Sequence, residues 1–430
     1  TLLAAGSNAR GQLGIGSTDD AHSFTPCVFE DHGPHLPTNT ARILGLASGS
    51  NHTVILLQSK DGDVQLWGAG DGSKGQLGPD RTSNAPMEAS KDEPFVFRPL
   101  SMPFGELFQQ RRLPYTCRLV AAAWETTYLV LSCPGRPDIL ISMGSNDFGA
   151  LGGGENLNAA NKARIVNLAS ALDEKAGAKP PNSVLTIGSL QAGPRHVVVE
   201  LQTCTADGTT LSSVLVGWGS SRQGQLGQKT KAAVISRPAL IPIDVASDPM
   251  RCCALGNEHT VVLHESNRIS VLGSNRKDQL DGLPLLQMPI ERIGCTWNGT
   301  YVHTREGMQD LLLATGSNAK GQLGRTNSAV SNSNTIGIVK LPIEPTTHII
   351  KLACGSEHVL VLTSPSGDMG KGISNSVWGW GWNEHGNLGL GMLEDVTLPA
   401  QIWPRDGAGP IGNVVDVWAA CGTSWLALPS

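Results

Sequence analysis

Residues 6–14 read GSNARGQLG, three glycines around one positive charge, a composition that could cradle a phosphate. A phosphate loop of the P-loop kind needs a Lys after its last glycine to reach the β and γ phosphates, and a Ser or Thr behind it to hold magnesium. Gly11 is followed instead by Gln12 and Leu13. The dinucleotide fingerprint fails as well, because its glycines are spaced differently and open a helix after a strand. No HExxH, no G-x-S-x-G and no spaced carboxylate pair stands out. No catalytic residue, cofactor-binding residue or metal ligand is therefore expected, and the chain is not read as an enzyme.

The meaning of the loop depends on the elements that hold it. It recurs as GDGSKGQLG at 70–78, GSNDFGALG at 144–152, GSSRQGQLG at 219–227, GSNRKDQLD at 273–281, GSNAKGQLG at 316–324 and GWNEHGNLG at 381–389. A second motif alternates with it, a small-residue segment running into an apolar strand, as in ASGSNHTVILL at 47–57, LGNEHTVVL at 255–263 and ACGSEHVLVL at 353–362. Between the two lies a turn and a strand ending in Trp-Gly or a relative of it. Each unit then reads as four short antiparallel strands, and seven such units make an all-β, seven-bladed β-propeller. The strand segments are continuously apolar, as expected where neighbours cover both faces. The chain starts on the third strand of a unit and ends on the second, so one domain over 1–430 is expected, with a last blade joining about 413–430 to 1–14. Insertions are expected near 79–94, 153–183 and 364–376.

Composition agrees with this reading. The chain has 430 residues, 51 of them Gly, with 16% charged residues and a net charge of -5. So much glycine without a collagen period implies many tight turns. No apolar run approaches the roughly 18 residues of a membrane helix. Nine cysteines include no C-x-x-C pair, which suggests a reducing compartment rather than a zinc or redox site. No secretory leader is visible, and a cytoplasmic location is expected, with a nuclear one in addition. Slight acidity argues against a nucleic-acid-binding role, and the short basic stretch Arg111, Arg112 and Arg118 reads as a solvated loop.

The alternation of A-x-G-x-x-H-T with G-x-N-x-x-G-Q-L-G resembles the regulator of chromosome condensation family, and the resemblance covers nearly the whole chain. It implies a seven-bladed propeller. The founding member of that family is an exchange factor for a small GTPase that docks on chromatin, but nothing in this chain resembles its basic chromatin-binding tail.

Function is expected where the repeats depart from their own consensus. His52, His196, His259 and His358 fall at one repeat position, which points to a structural role with the imidazole bonding backbone. Cys295, Cys354 and Cys421 read as equivalent first-strand residues. The sequons at Asn51 and Asn298 are products of the repeat, so glycosylation is not expected. Trp124 and Trp297 replace a small residue two places before the His position, Trp425 reads as standing at that position, and Trp382 with His385 enters a loop otherwise small or basic. Loops after the first and third strands emerge on one face of a blade, so these residues are expected to gather on one face as anchors for a protein partner. Glu125 joins them in a Trp-acid-Thr-Thr step.

These departures are also similar to those of the fungal Elongator-regulating, killer-toxin-insensitivity branch of the family. That resemblance implies a non-catalytic heterodimer with a small zinc-binding electron carrier of diphthamide biosynthesis, linked indirectly to Elongator and tRNA wobble-uridine modification, with no direct nucleic acid and no membrane. The alternatives are guanine nucleotide exchange on a small GTPase and a generic scaffold.

Overall fold

The computed structural model describes residues 1–79, 95–101, 114–154, 163–172, 183–205, 207–227, 233–307, 309–326, 336–366, 374–404 and 412–429. Arg111, Arg112 and most of the three expected insertions lie outside the described residues. The fold is all-β: seven antiparallel sheets, the blades of a seven-bladed propeller. Among the described residues no helix is long and apolar enough to cross a membrane.

The chain forms two compact units. A middle unit, Pro37–Pro249 with Arg10–Gly14, holds three four-stranded blades. Their strands are Thr40–Ser48, His52–Ser59, Val64–Gly70 and Arg98–Pro99; Thr116–Ala122, Thr126–Ser132, Ile139–Gly144 and Arg164–Ile165; and Val184–Ala192, His196–Cys204, Thr210–Ser220 and Val234–Leu240. A terminal unit, Met250–Ser430 with Thr1–Ala9 and Ile15–Leu36, holds the other four blades. The first of these has three strands among the described residues, Met250–Leu255, His259–His264 and Ile269–Gly273. The next two comprise Ile290–Thr296, Gly299–Glu306, Gln309–Gly316 and Gly337–Val339, then Thr347–Cys354, His358–Pro365, Ser376–Gly381 and Val396–Trp403. The last pairs Asp416–Ala419 and Thr423–Ala427 with Leu2–Gly6 and Ala21–Pro26, so its fourth strand lies beyond residue 14.

The glycine loop is scaffold. In the copy at 316–324, the Asn318 side chain accepts the Leu323 N–H at 2.9 Å, and Gln322 Oε1 accepts the Lys320 N–H at 2.7 Å. Gly316, Gly321 and Gly324 have φ of 123°, 74° and 61°, and a Cβ on Gly316 would stand 2.3 Å from the Asn298 carbonyl oxygen. Glycine alone enters that geometry cheaply. The loop then holds out a carbonyl: Gln322 O accepts from Trp380 Nε1 of the next blade at 2.8 Å and from Tyr301 Oη at 2.5 Å. Leu323 is buried in the same cluster, as are Leu13, Leu77, Leu151, Leu226, Leu280 and Leu388 in their own copies. Each buried leucine contributes about 1.5–3 kcal/mol.

Three of the four recurrent histidines also join blades through hydroxyls, and the backbone bonding expected of them acts on His259 from Gly299 and on His358 from Thr423. His52 Nε2 lies 2.8 Å from Thr127 Oγ1, His259 Nε2 3.2 Å from Thr300 Oγ1 and His358 Nε2 3.0 Å from Ser424 Oγ, each in the next blade. Thr127 and Thr300 give their own protons to the carbonyls of Gln76 and Gln279. The rings of His52 and His259 are therefore the donors at Nε2. Burial lowers the pKa of these three imidazoles to about 4.

Two further expectations are corrected. Arg118 lies in a strand, not in a solvated loop, and pairs with Asp138 at 3.0 Å. Cys421 is not equivalent to Cys295 and Cys354: those two pair across to Thr300 and Val359, whereas the matching place in the last blade is Ala419, paired to Ser424.

Candidate protein-interaction faces

In the terminal unit, Trp297 sits between the first and second strands of its blade and Trp382 follows the third strand of the next. Both are half-buried. Main-chain bonds carry the first loops from blade to blade: Asn257 N–H donates to Trp297 O at 3.0 Å, Trp297 N–H to Ser356 O at 2.7 Å and Ser356 N–H to Ala420 O at 3.0 Å. Beside this chain stands Glu357, which the contrast between repeats did not single out. Its carboxylate accepts from Asn298 Nδ2 at 2.7 Å and Gln322 Nε2 at 2.6 Å, and its carbonyl accepts the Trp382 N–H at 2.9 Å. Burial raises the Glu357 carboxyl above the usual carboxylate range, against the lowering effect of the two amides. One side chain thus ties the neighbour of Trp297 to the loop of Trp382.

Trp382 packs towards the last blade, where a Cβ on Gly422 would meet its ring at 3.4 Å. His385 stands edge-on to it, with centroids 5.3 Å apart, and places Nδ1 2.7 Å from Asp20 Oδ2. Asp20 also accepts the Asn8 N–H at 2.7 Å. The loop continues into the Lys320–Glu384 ion pair, so Trp382 and His385 are held by both neighbouring blades of their unit.

Trp425 does not belong to this face. Gly6 pairs with Thr423 as Gly381 pairs with His358, so Thr423 occupies the His position and Trp425 lies two residues inside the strand. It is fully buried opposite Trp418 and Ala4. The likeness of ACGTSW to ACGSEH put Trp425 in register with His358, and strand pairing sets the register two residues away.

In the middle unit, Trp124 is 41% exposed and Glu125 is half-buried. Ser50 donates from both N and Oγ to Trp124 O, each at 2.8 Å, and Trp124 N–H donates to Pro194 O at 3.1 Å. Phe148, 42% exposed, joins that end with φ of 58°, and the Arg195 guanidinium lies 5.0 Å from its ring centroid. Phe148 and Arg195 were missed because each fits a position where the repeats vary freely. Among the described residues no group of three or more His, Cys, Asp or Glu side chains could hold a metal ion.

The family model for the regulator of chromosome condensation (RCC1) repeat matches residues 1–56, 215–263 and 374–426. The chain is 27% identical to an RCC1 repeat-containing protein of Schizosaccharomyces pombe, over 99% of this chain and 98% of that one. It is 26% identical to the secretion-regulating guanine nucleotide exchange factor of Bos taurus, over 93% of this chain and 78% of that protein. Among solved structures, human WBSCR16 matches with a TM-score of 0.68 and 18% identity, covering 100% of this chain and 98% of that one. Prp20p of Saccharomyces cerevisiae, whose structure was described with its binding to Gsp1p and histones, matches with a TM-score of 0.68 and 17% identity over 100% and 92%. The structures show the fold, and the repeat matches with the relatives support the RCC1-repeat family.

Proposed function

We propose that this RCC1-repeat propeller is a non-catalytic protein-binding subunit that forms a heterodimer with a small zinc-binding electron carrier, in the cytoplasm and nucleus, and so supports diphthamide synthesis and Elongator-dependent tRNA wobble-uridine modification. The observation that carries the binding role is the Glu357 clamp, which presents the loops of Trp297 and Trp382 from adjacent blades as one pre-ordered surface. Rigid aromatic side chains on fixed loops lose little entropy on docking and dominate interface energies. The partner's identity rests on the sequence departures at Trp124, Glu125, Trp297 and the Trp-Gly-Trp-Gly run. The zinc in this reading belongs to the partner. Size-exclusion chromatography of the two purified proteins at micromolar concentration tests it: one co-eluting peak is expected, and two independent peaks would reject the partner.

A second reading, guanine nucleotide exchange, is favoured by the likeness to the secretion-regulating exchange factor. It predicts faster release of a fluorescent guanine nucleotide from a small GTPase when this chain is added. No acceleration across a panel of GTPases would remove it.

A further inference from the structure

We infer that Trp124 and Glu125 form a seat for a basic side chain, Lys or Arg, of a partner protein; this deepens the protein-binding reading above and rests on it. The argument compares two places in the repeat. Glu125 and Glu357 hold the same position, immediately before the second strand of their blades. Glu357 is gripped by Asn298 and Gln322 from the preceding blade. Asn51 and Gln76 occupy the matching places before Glu125. Gln76 Oε1 accepts the Lys74 N–H at 2.9 Å, as Gln322 Oε1 accepts that of Lys320 at 2.7 Å, so the two amides are anchored alike through their oxygens.

The grip is nevertheless open. Gln76 is fully buried and its Nε2 has no hydrogen-bond partner. A buried amide donor without an acceptor costs about 1–3 kcal/mol, and its lack of a partner shows that Gln76 does not hold the Glu125 carboxylate as Gln322 holds that of Glu357. Glu125 makes no side-chain hydrogen bond or ion pair among the described residues, although its carbonyl is held by Ser145 N–H at 2.9 Å. The carboxylate therefore stands on an anchored backbone, next in sequence to Trp124, a residue that is 41% exposed.

The chemistry of that pairing selects a cation. The face of an indole attracts a guanidinium or ammonium group, and an adjacent carboxylate adds a charge-assisted hydrogen bond. The same end of the middle unit already stacks one guanidinium on an aromatic ring, Arg195 on Phe148. An acidic side chain would meet Glu125 and the exposed Asp147 instead.

The test uses the full chain and two nine-residue synthetic peptides, one with three arginines spaced by Gly and Ser, the other with glutamates in their place. Fluorescence titration at low salt should show saturable binding of the arginine peptide alone. Glu125→Gln and Trp124→Ala should each weaken it at least five-fold, whereas Asp147→Asn should change it less than two-fold, with unchanged far-UV circular dichroism as the folding control. Equal affinity of wild type and Glu125→Gln, or equal binding of the glutamate peptide, would overturn the seat, whether or not the zinc protein co-elutes. Peptide discrimination without co-elution would reject that partner and retain the seat.

Discussion

Trp382 donates its main-chain N–H to the carbonyl of Glu357 over 2.9 Å, joining the loop after the third strand to the loop after the first within one blade. Because the Glu357 carboxylate also receives Asn298 and Gln322 from the preceding blade, the position of Trp382 depends on residues 35 to 59 places away from Glu357 in sequence.

Removing that carboxylate leaves two amides without their acceptor. Glu357→Ala should destabilise the chain by about 1–3 kcal/mol, and Glu357→Gln by less, because one acceptor oxygen remains. Urea denaturation of both variants checks the order. The alanine variant should also weaken the proposed heterodimer, which isothermal titration calorimetry would read.

The buried histidines set a pH dependence. Their folded pKa of about 4 lies below the ordinary value of 6.5, so the unfolded chain binds protons first. Their contribution to stability is complete above pH 6.5 and is lost as pH falls through about 4. Glu357, raised by burial, works in the opposite sense. Denaturation midpoints at pH 7.5, 5.5 and 4.5 should fall in that order, and the drop should be smaller in His358→Gln.

Gly256 lies under the ring of His259, and an added Cβ would stand 2.0 Å from Cε1. Gly256→Ala should therefore destabilise by about 1–3 kcal/mol through overpacking. The chain contains its own remedy, since Ala123 occupies the equivalent place where Thr126 replaces the histidine. The double variant Gly256→Ala with His259→Thr should recover stability relative to Gly256→Ala alone. Thermal melts of the two variants decide it.

Two tryptophans chosen by one contrast between repeats should behave oppositely. Trp425 is fully buried, and Trp425→Ala should cost about 3–5 kcal/mol of stability through the cavity it leaves. Trp124 is 41% exposed, and Trp124→Ala should change stability by less than about 1 kcal/mol. Chemical denaturation of both variants provides the comparison.

Repetition alone determined the blades, the scaffold role of GSNARGQLG and the buried Leu13, because those residues serve contacts that recur from blade to blade within a unit and so leave a periodic trace. Local likeness misled only in the last blade. There the glycine of ACGTSW is Gly422, which matches Glu357 and not Gly355, and hydrogen-bonded pairing of Gly6 with Thr423 places Trp425 inside the core. The tertiary structure decided the rest: which hydroxyls His52, His259 and His358 meet, the closed grip on Glu357, the open one at Glu125, and the stacking of Arg195 on Phe148. Each of these joins side chains from different strands or blades, at separations that no single repeat contains. A one-dimensional pattern records what every blade needs, and only the packed chain shows where one blade differs from its neighbours.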